Sequence, residues 1–467
     1  MSSATTTDPW GERLPRRLGL LSAWAVLVGS TIGSGIFRTP AVVAGRVDDP
    51  VLFISGWILG GLIALAGALT VAELAAMFPR TGGIYVYIRE GFGPLPAFLF
   101  GWAEFVVIRP AAYGAIAITS AEYFWRLAGV DGGTMPAGLP LTLAQLTAAV
   151  FIVIVAAVNY RGIQLGAVIQ NWSTFFKVAA LGLLIVLGFL LPHDPAVASP
   201  VHPVPAGGAL ATLAGFGIAL VAILWAYDGW ADLSFVGGEV KDPQRTLPRA
   251  LLLGTATVVV LYLGAIAVYW HIVPLDRMAG SPLIAADAAQ AIMGRGGVVF
   301  VSLAIMISTF GTLNGSMMTG PRIFFAMADD RLFFRRLADV HPRYGTPALC
   351  IVLAAVLGVI YVSIRQFADL ADQFIIGIWP FYALGVAAVF VLRRRRPELA
   401  RPYRVLGYPI VPALFLLASV YLLGNYALTE SRIFFWDVVV IHSGIPLYMI
   451  WSRRKEAVRR SGGQGVS

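Results

Sequence analysis

The sequence predicts an all-α polytopic membrane protein of twelve transmembrane helices, and three observations carry that prediction. Composition is the first: 58% of residues are hydrophobic, 13% are charged and the mean hydropathy is +0.78, far from the balance of a water-soluble domain. The second is that apolar residues collect in long runs, such as 51–69, 141–158, 178–191 and 251–268, with few or no charges inside them. Runs of this kind match a hydrocarbon core about 30 Å thick. The third is that the runs lack the alternation of barrel strands. Backbone polar groups cannot go unpaired in lipid, so such spans must be helical.

Taken in order, spans are expected near 18–45, 51–77, 92–126, 141–159, 168–191, 208–238, 247–272, 286–326, 347–364, 368–392, 407–426 and 434–452. Residues 1–17 form a polar N-terminal segment with no short apolar core and cleavage site of the signal-peptide type. Residues 453–467, ending in a glycine-rich stretch, read as a tail.

Charge placement sets the expected orientation. Of 34 lysines and arginines, Arg38, Arg109 and Lys177 fall inside spans. Arg46, Arg126, Arg277, Arg295, Arg365 and Arg432 fall on alternate loops, and the remaining 25 lie on the other side. By the positive-inside rule both termini are cytoplasmic, which requires an even number of spans.

The same distribution excludes several functions. A net charge of +9 confined to short loops reflects topology and anionic membrane lipid, so no nucleic-acid partner is expected. Cys350 is alone, which rules out an internal disulfide, and no Cys and His cluster suggests a metal. His193, His202, His271, His341 and His442 are scattered, with no nucleophile-and-base motif beside them. An enzyme is therefore not expected, and neither is a cofactor.

Two spans carry breaks. The first contains Gly29-Ser30-Thr31-Ile32-Gly33-Ser34-Gly35-Ile36-Phe37, and the sixth contains Trp225-Ala226-Tyr227-Asp228-Gly229-Trp230 followed by Gly237-Gly238-Glu239. Glycines packed this way in lipid either let helices approach closely or mark unwound backbone lining a site. Breaks five spans apart are what two inverted five-helix repeats produce, here 18–191 and 208–392. Half-helix ends leave NH and carbonyl groups free, which suits a zwitterion: NH groups for its carboxylate, carbonyls for its ammonium.

Around those breaks the chain resembles the amino acid, polyamine and organocation transporter superfamily, and within it the L-type amino acid exchangers and their bacterial relatives. The likeness covers nearly the whole chain. It rests on Gly33-Ser34-Gly35-Ile36-Phe37, on Ala72-Glu73-Leu74 with Pro79-Arg80-Thr81-Gly82-Gly83, and on Pro94-Leu95-Pro96-Ala97-Phe98-Leu99. Ile108-Arg109-Pro110, Gly238-Glu239-Val240-Lys241-Asp242-Pro243 and the Arg396 to Pro402 loop add to it.

The resemblance implies an amino acid transporter of the plasma (cell inner) membrane working by alternating access, through sodium-independent exchange or proton-coupled uptake. It also implies that 407–452 lies outside the two repeats. Transport of polyamines or cationic amino acids, and a non-transporting sensor on the same fold, are the alternatives; neither terminus has the length of a signalling domain. The implied substrate site is Thr31, Ile32, Gly33, Ser34 and Gly35 with Trp225, Ala226, Tyr227 and Asp228. Within it, the NH groups of Ser34 and Gly35 hold the carboxylate, and the carbonyls of Thr31, Trp225 and Asp228 accept from the ammonium. Trp225 takes the position of an aromatic gate; otherwise it is a packing aromatic. Asp228 either reads a cationic side chain or caps the broken helix, and Asp232 shares either role.

Lys177 is implied as the coupling residue. Its ammonium takes the place that a cation occupies between the first and eighth spans of sodium-coupled relatives, beside Ser308 and Thr309, either as a proton carrier or as a fixed charge. Snorkelling to the interface is the structural alternative. Arg109, Glu104 and Glu73 are assigned to packing and gating. Animal L-type exchangers carry an extracellular cysteine that bonds an ancillary glycoprotein; the loop 127–140 has none, so no disulfide-linked subunit is expected.

Overall fold

The computed structural model describes residues 12–47, 49–136, 138–192, 209–281, 283–364 and 367–452. The expected tail 453–467 and the start of the N-terminal segment lie outside the described residues, as do His193, His202 and Arg365.

Within them the chain is helical, with ten helices long and apolar enough to cross a membrane and two shorter apolar helices, Ala211–Tyr227 and Ala348–Ile364. The long spans are Leu20–Ala44, Pro50–Met77, Pro94–Leu127, Leu143–Tyr160, Ile163–Leu190, Pro243–Ile272, Ile284–Asp329, Phe374–Arg395, Ile410–Thr429 and Ser431–Ser452. The twelve expected spans are thus all present as apolar helices. Burial separates them: 78% of the first span's apolar window is buried inside the protein, against 28% and 11% for the eleventh and twelfth. The last two spans pack on the outside of the other ten.

Local chemistry sets the helix ends. Asp49 caps the second span by accepting from the Leu52 NH at 2.8 Å, with Pro50 in the first turn where its missing NH costs nothing. Thr142 and Gln145 close a capping box at the start of the fourth. In the third span the helix widens to a π-turn at Glu104–Ile108. Pro110 offers no NH to the Val106 carbonyl four residues back, and the Tyr361 hydroxyl of the ninth span donates to that carbonyl instead. Gly294, at φ 59°, divides the eighth span from the short helical stretch that leads into it.

Both breaks are present. The first span unwinds between Leu20–Thr31 and Gly35–Ala44. In the sixth, expected over 208–238 with a break, the chain turns at Gly229 after Tyr227 and makes only the short helix Asp232–Phe235 and a 3-10 turn at Gly237–Glu239. Gly229, at φ 109°, makes the turn, and Gly237 and Gly238 fall where the second half ends.

Residues 12–18 seal one face. Leu18 bridges to Val240, the NH groups of Arg17 and Leu18 donate to the Glu239 carbonyl at 2.7 and 2.9 Å, and Arg13 pairs with Asp329 at 2.8 Å. Beneath them the fully buried pair Arg322–Glu239, at 2.8 Å, ties the end of the eighth span to the end of the sixth.

Candidate functional site

The two breaks meet at the centre of the protein. A Cβ on Gly35 would press into the backbone of Ala226, and one on Gly229 would lie 2.7 Å from Thr31 Oγ1 and 2.9 Å from its backbone nitrogen. Only glycine at both positions allows this approach. It opens a cavity of about 40 Å³, walled by the first span at Ser30, Thr31, Gly33, Ser34 and Gly35 and by the sixth at Trp225, Asp228, Gly229 and Asp232. The third span adds Arg109, Ala112 and Ile116, the eighth Thr312 and Ser316, and the tenth Phe374.

The polar groups are arranged by charge. Gly35–Ala44 begins at the cavity, and its first NH groups have no acceptor within their own helix, so an anion is favoured there. The Thr31 carbonyl accepts from Tyr262 Oη at 2.8 Å and keeps one lone pair for another donor. Above, the Trp225 and Phe374 rings meet edge to face with centroids 5.2 Å apart.

Lys177 lies behind the unwound segment, 1% exposed. Its ammonium donates to the carbonyls of Gly29 at 2.8 Å, Ile32 at 2.7 Å and Ser308 at 2.9 Å, and to Thr312 Oγ1 at 3.0 Å. The cage is made of neutral oxygens from the first and eighth spans. Thr309 is not part of it: its hydroxyl bonds back to the Ile305 carbonyl at 2.8 Å, because Thr312, one turn beyond Ser308, shares that residue's face and Thr309 does not.

The sequence pattern of the amino acid permease family matches residues 18–449. The chain belongs to the amino acid permease family. It is 31% identical to the serine/threonine exchanger SteT of Bacillus subtilis, covering 95% of this chain and 98% of that one. To the human b(0,+)-type amino acid transporter 1 it is 30% identical over 97% and 91%, and to the human cystine/glutamate transporter 27% over 97% and 90%. The permease is thus a multi-pass transporter of amino acids within the amino acid, polyamine and organocation superfamily, and not an enzyme.

In the permease the candidate residues divide into three groups. Thr31, Gly33, Ser34, Gly35, Trp225 and Asp228 line the cavity. The Ile32 carbonyl instead faces Lys177, and the buried Tyr227 ring packs against Trp57 and Tyr262 at 6.0 and 5.1 Å. Ala226 supplies the backbone surface against which Gly35 rests.

Asp228 is tied to the tenth span. Its Oδ1 accepts from Tyr382 Oη of the tenth span at 2.9 Å while the group lines the cavity. Asp232 is already engaged, accepting from Arg109 Nη2 at 3.1 Å and Thr319 Oγ1 at 3.0 Å. Arg109 also donates to Glu104 at 2.8 Å and to Ser316 Oγ at 3.3 Å, so a buried acid–base–acid network floors the cavity on the side of residues 12–18. Removing either acid would leave the buried guanidinium one carboxylate in place of two. Glu73 is structural: it holds Arg393 at 2.6 Å and the Val405 NH at 2.8 Å, joining the second and tenth spans to the loop beyond.

Missed from sequence were Ser316, Phe374, Tyr262 and Tyr382, which sit within long apolar helices. On the far side, Arg38 of the first span's second half pairs with Glu122 of the third at 2.8 Å. Both are partly solvated, so Glu122→Gln is expected to change the exchange rate no more than a few-fold, less at high salt, when flux is measured across ionic strengths.

Proposed function

We propose that the permease is a sodium-independent obligatory exchanger of small neutral amino acids in the plasma membrane, with both termini cytoplasmic. Two inverted five-helix repeats rock around the central cavity to give alternating access. Lys177 carries this reading. A sodium ion between the first and eighth spans would need the carbonyls of Gly29 and Ile32, and the Lys177 ammonium already takes both. A cation fixed to the protein contributes no ion gradient, so the driving force falls to the counter-substrate.

Substrate size and chemistry follow from the walls. Ser30 and Ser316 line the cavity while Trp225 and Phe374 close it, which suits a short polar side chain. The name of the Bacillus relative, a serine/threonine exchanger, agrees. The amino acid carboxylate binds the NH groups at Ser34 and Gly35, its ammonium the carbonyls of Thr31 and Trp225, and Trp225 closes as the gate.

The decisive experiment is uptake of radiolabelled serine and other amino acids into proteoliposomes. Expected is uptake that requires amino acid inside and ignores both sodium and an inward proton gradient. Gradient-driven uptake into empty vesicles would overturn exchange and make Lys177 a proton carrier.

A second reading, transport of cationic amino acids, is favoured by the Asp228 carboxylate in the cavity. Asp228→Asn then lowers affinity for lysine or arginine about 10- to 100-fold, the worth of a charged hydrogen bond, and leaves serine unchanged. Competition assays against labelled serine separate the two. Uniform loss would make Asp228 a structural partner of Tyr382.

A further inference from the structure

Far from the central cavity, the fourth and ninth spans form an outward-facing groove of about 770 Å³. Ala156 and Ala355 lie at its floor, each 8% exposed, and Val153, Val352, Val356 and Ile360 form its exposed walls. One end is different: Tyr160, Arg161 and Tyr344 line it, and no Asp or Glu lines any part of the groove. Among the described residues the exposed Arg161 guanidinium has no ion-pair or hydrogen-bond partner. Arg343 adds a second cation there, 5.5 Å from the centre of the Tyr344 ring.

This polar end lies on the face sealed by residues 12–18, because Gly345 sits against Pro15. From Ile351 to Ile360 the groove runs along about 14 Å of helix. That is close to one leaflet, half of a hydrocarbon core about 30 Å thick. A transmembrane helix from a partner would need a surface crossing both leaflets. A lipid needs one leaflet of apolar wall and a polar group at the headgroup level.

We propose that this groove is a binding site for an anionic phospholipid of the leaflet on the residue 12–18 side. Its acyl chain lies between the fourth and ninth spans, over Ala156 and Ala355, and its phosphate is held by Arg161, with Arg343 adding positive potential. The small residues make room for the chain, and the unpaired guanidinium supplies headgroup preference. The site touches the ninth span, which packs on the third, so the lipid bears on the part of the protein that carries Arg109.

The test uses full-length protein in mild detergent, incubated with equal amounts of phosphatidylglycerol and phosphatidylcholine of identical acyl chains. Retained lipid is counted by native mass spectrometry. Wild-type protein is expected to keep phosphatidylglycerol about fivefold over phosphatidylcholine, the worth of one cation at a membrane surface. Arg161→Gln should retain both lipids equally, and Ala157→Phe, which fills the groove from an exposed position, should lose both. Equal retention by wild type, or undiminished preference in Arg161→Gln, overturns the proposal. So does a concentration-dependent dimer, seen by light scattering and abolished in Ala157→Phe, since that gives the groove to a second copy.

Discussion

Lys177→Met is expected to reduce exchange more than 100-fold while leaving a protein that still inserts. The ammonium is the one charge in a cage whose other members are neutral, and it joins the carbonyls of Gly29 and Ile32 on the first span to Ser308 and Thr312 on the eighth. Methionine keeps the length and removes the donors. Some of the cage survives, because Ser308 Oγ and Thr312 Oγ1 each donate to the Ile32 carbonyl at 3.0 Å. The fold therefore loses on the order of 1–3 kcal/mol for each acceptor left bare, not its topology.

Function has less reserve. The same unwound residues present NH groups to the cavity on their other side, so a segment no longer held by the ammonium no longer holds its geometry toward substrate. Lys177→Arg is not expected to restore exchange, since the larger planar guanidinium does not fit a cage with all four contacts between 2.7 and 3.0 Å. Exchange in proteoliposomes, with thermal stability measured beside it, checks both effects. Undiminished exchange in Lys177→Met would sink the assignment.

Much of this was legible in the sequence because breaks announce themselves. Gly33, Gly35 and Gly229 interrupt otherwise apolar spans, and Lys177 and Asp228 are charges where lipid forbids idle ones. The rest was hidden for a physical reason. In a soluble helix, periodicity tells the buried face from the wet one. In a membrane helix both the lipid face and the core face are apolar, so nothing in the tenth span marks Phe374 as a cavity residue. Thr309 and Thr312 look alike in sequence, and only the rotation of the eighth span decides which reaches Lys177. Ile32 and Tyr227 entered the expected site through the resemblance, and the structure turns the Ile32 carbonyl to Lys177 and the Tyr227 ring to Trp57 and Tyr262.

Gly229→Ala is expected to lower exchange by about 100-fold, on a mechanism independent of charge. At φ 109° the residue has a conformation that alanine adopts only at a cost of about 1–3 kcal/mol. The added methyl meets Thr31 Oγ1 at 2.7 Å, the Thr31 nitrogen at 2.9 Å and the Ser30 carbonyl carbon at 3.0 Å. Two of those are backbone atoms of the other broken span, which cannot swing aside as a side-chain tip can. The two breaks must separate, and displacement of about 1 Å among groups that position a ligand costs on the order of 100-fold. Gly182→Ala in the fifth span is the control: a Cβ there meets nothing within 4 Å, and exchange should match wild type. If both variants elute as monodisperse protein and only Gly229→Ala loses substrate binding, the close approach of the two breaks forms the site. Equal activity in the two would mean that the substrate binds elsewhere.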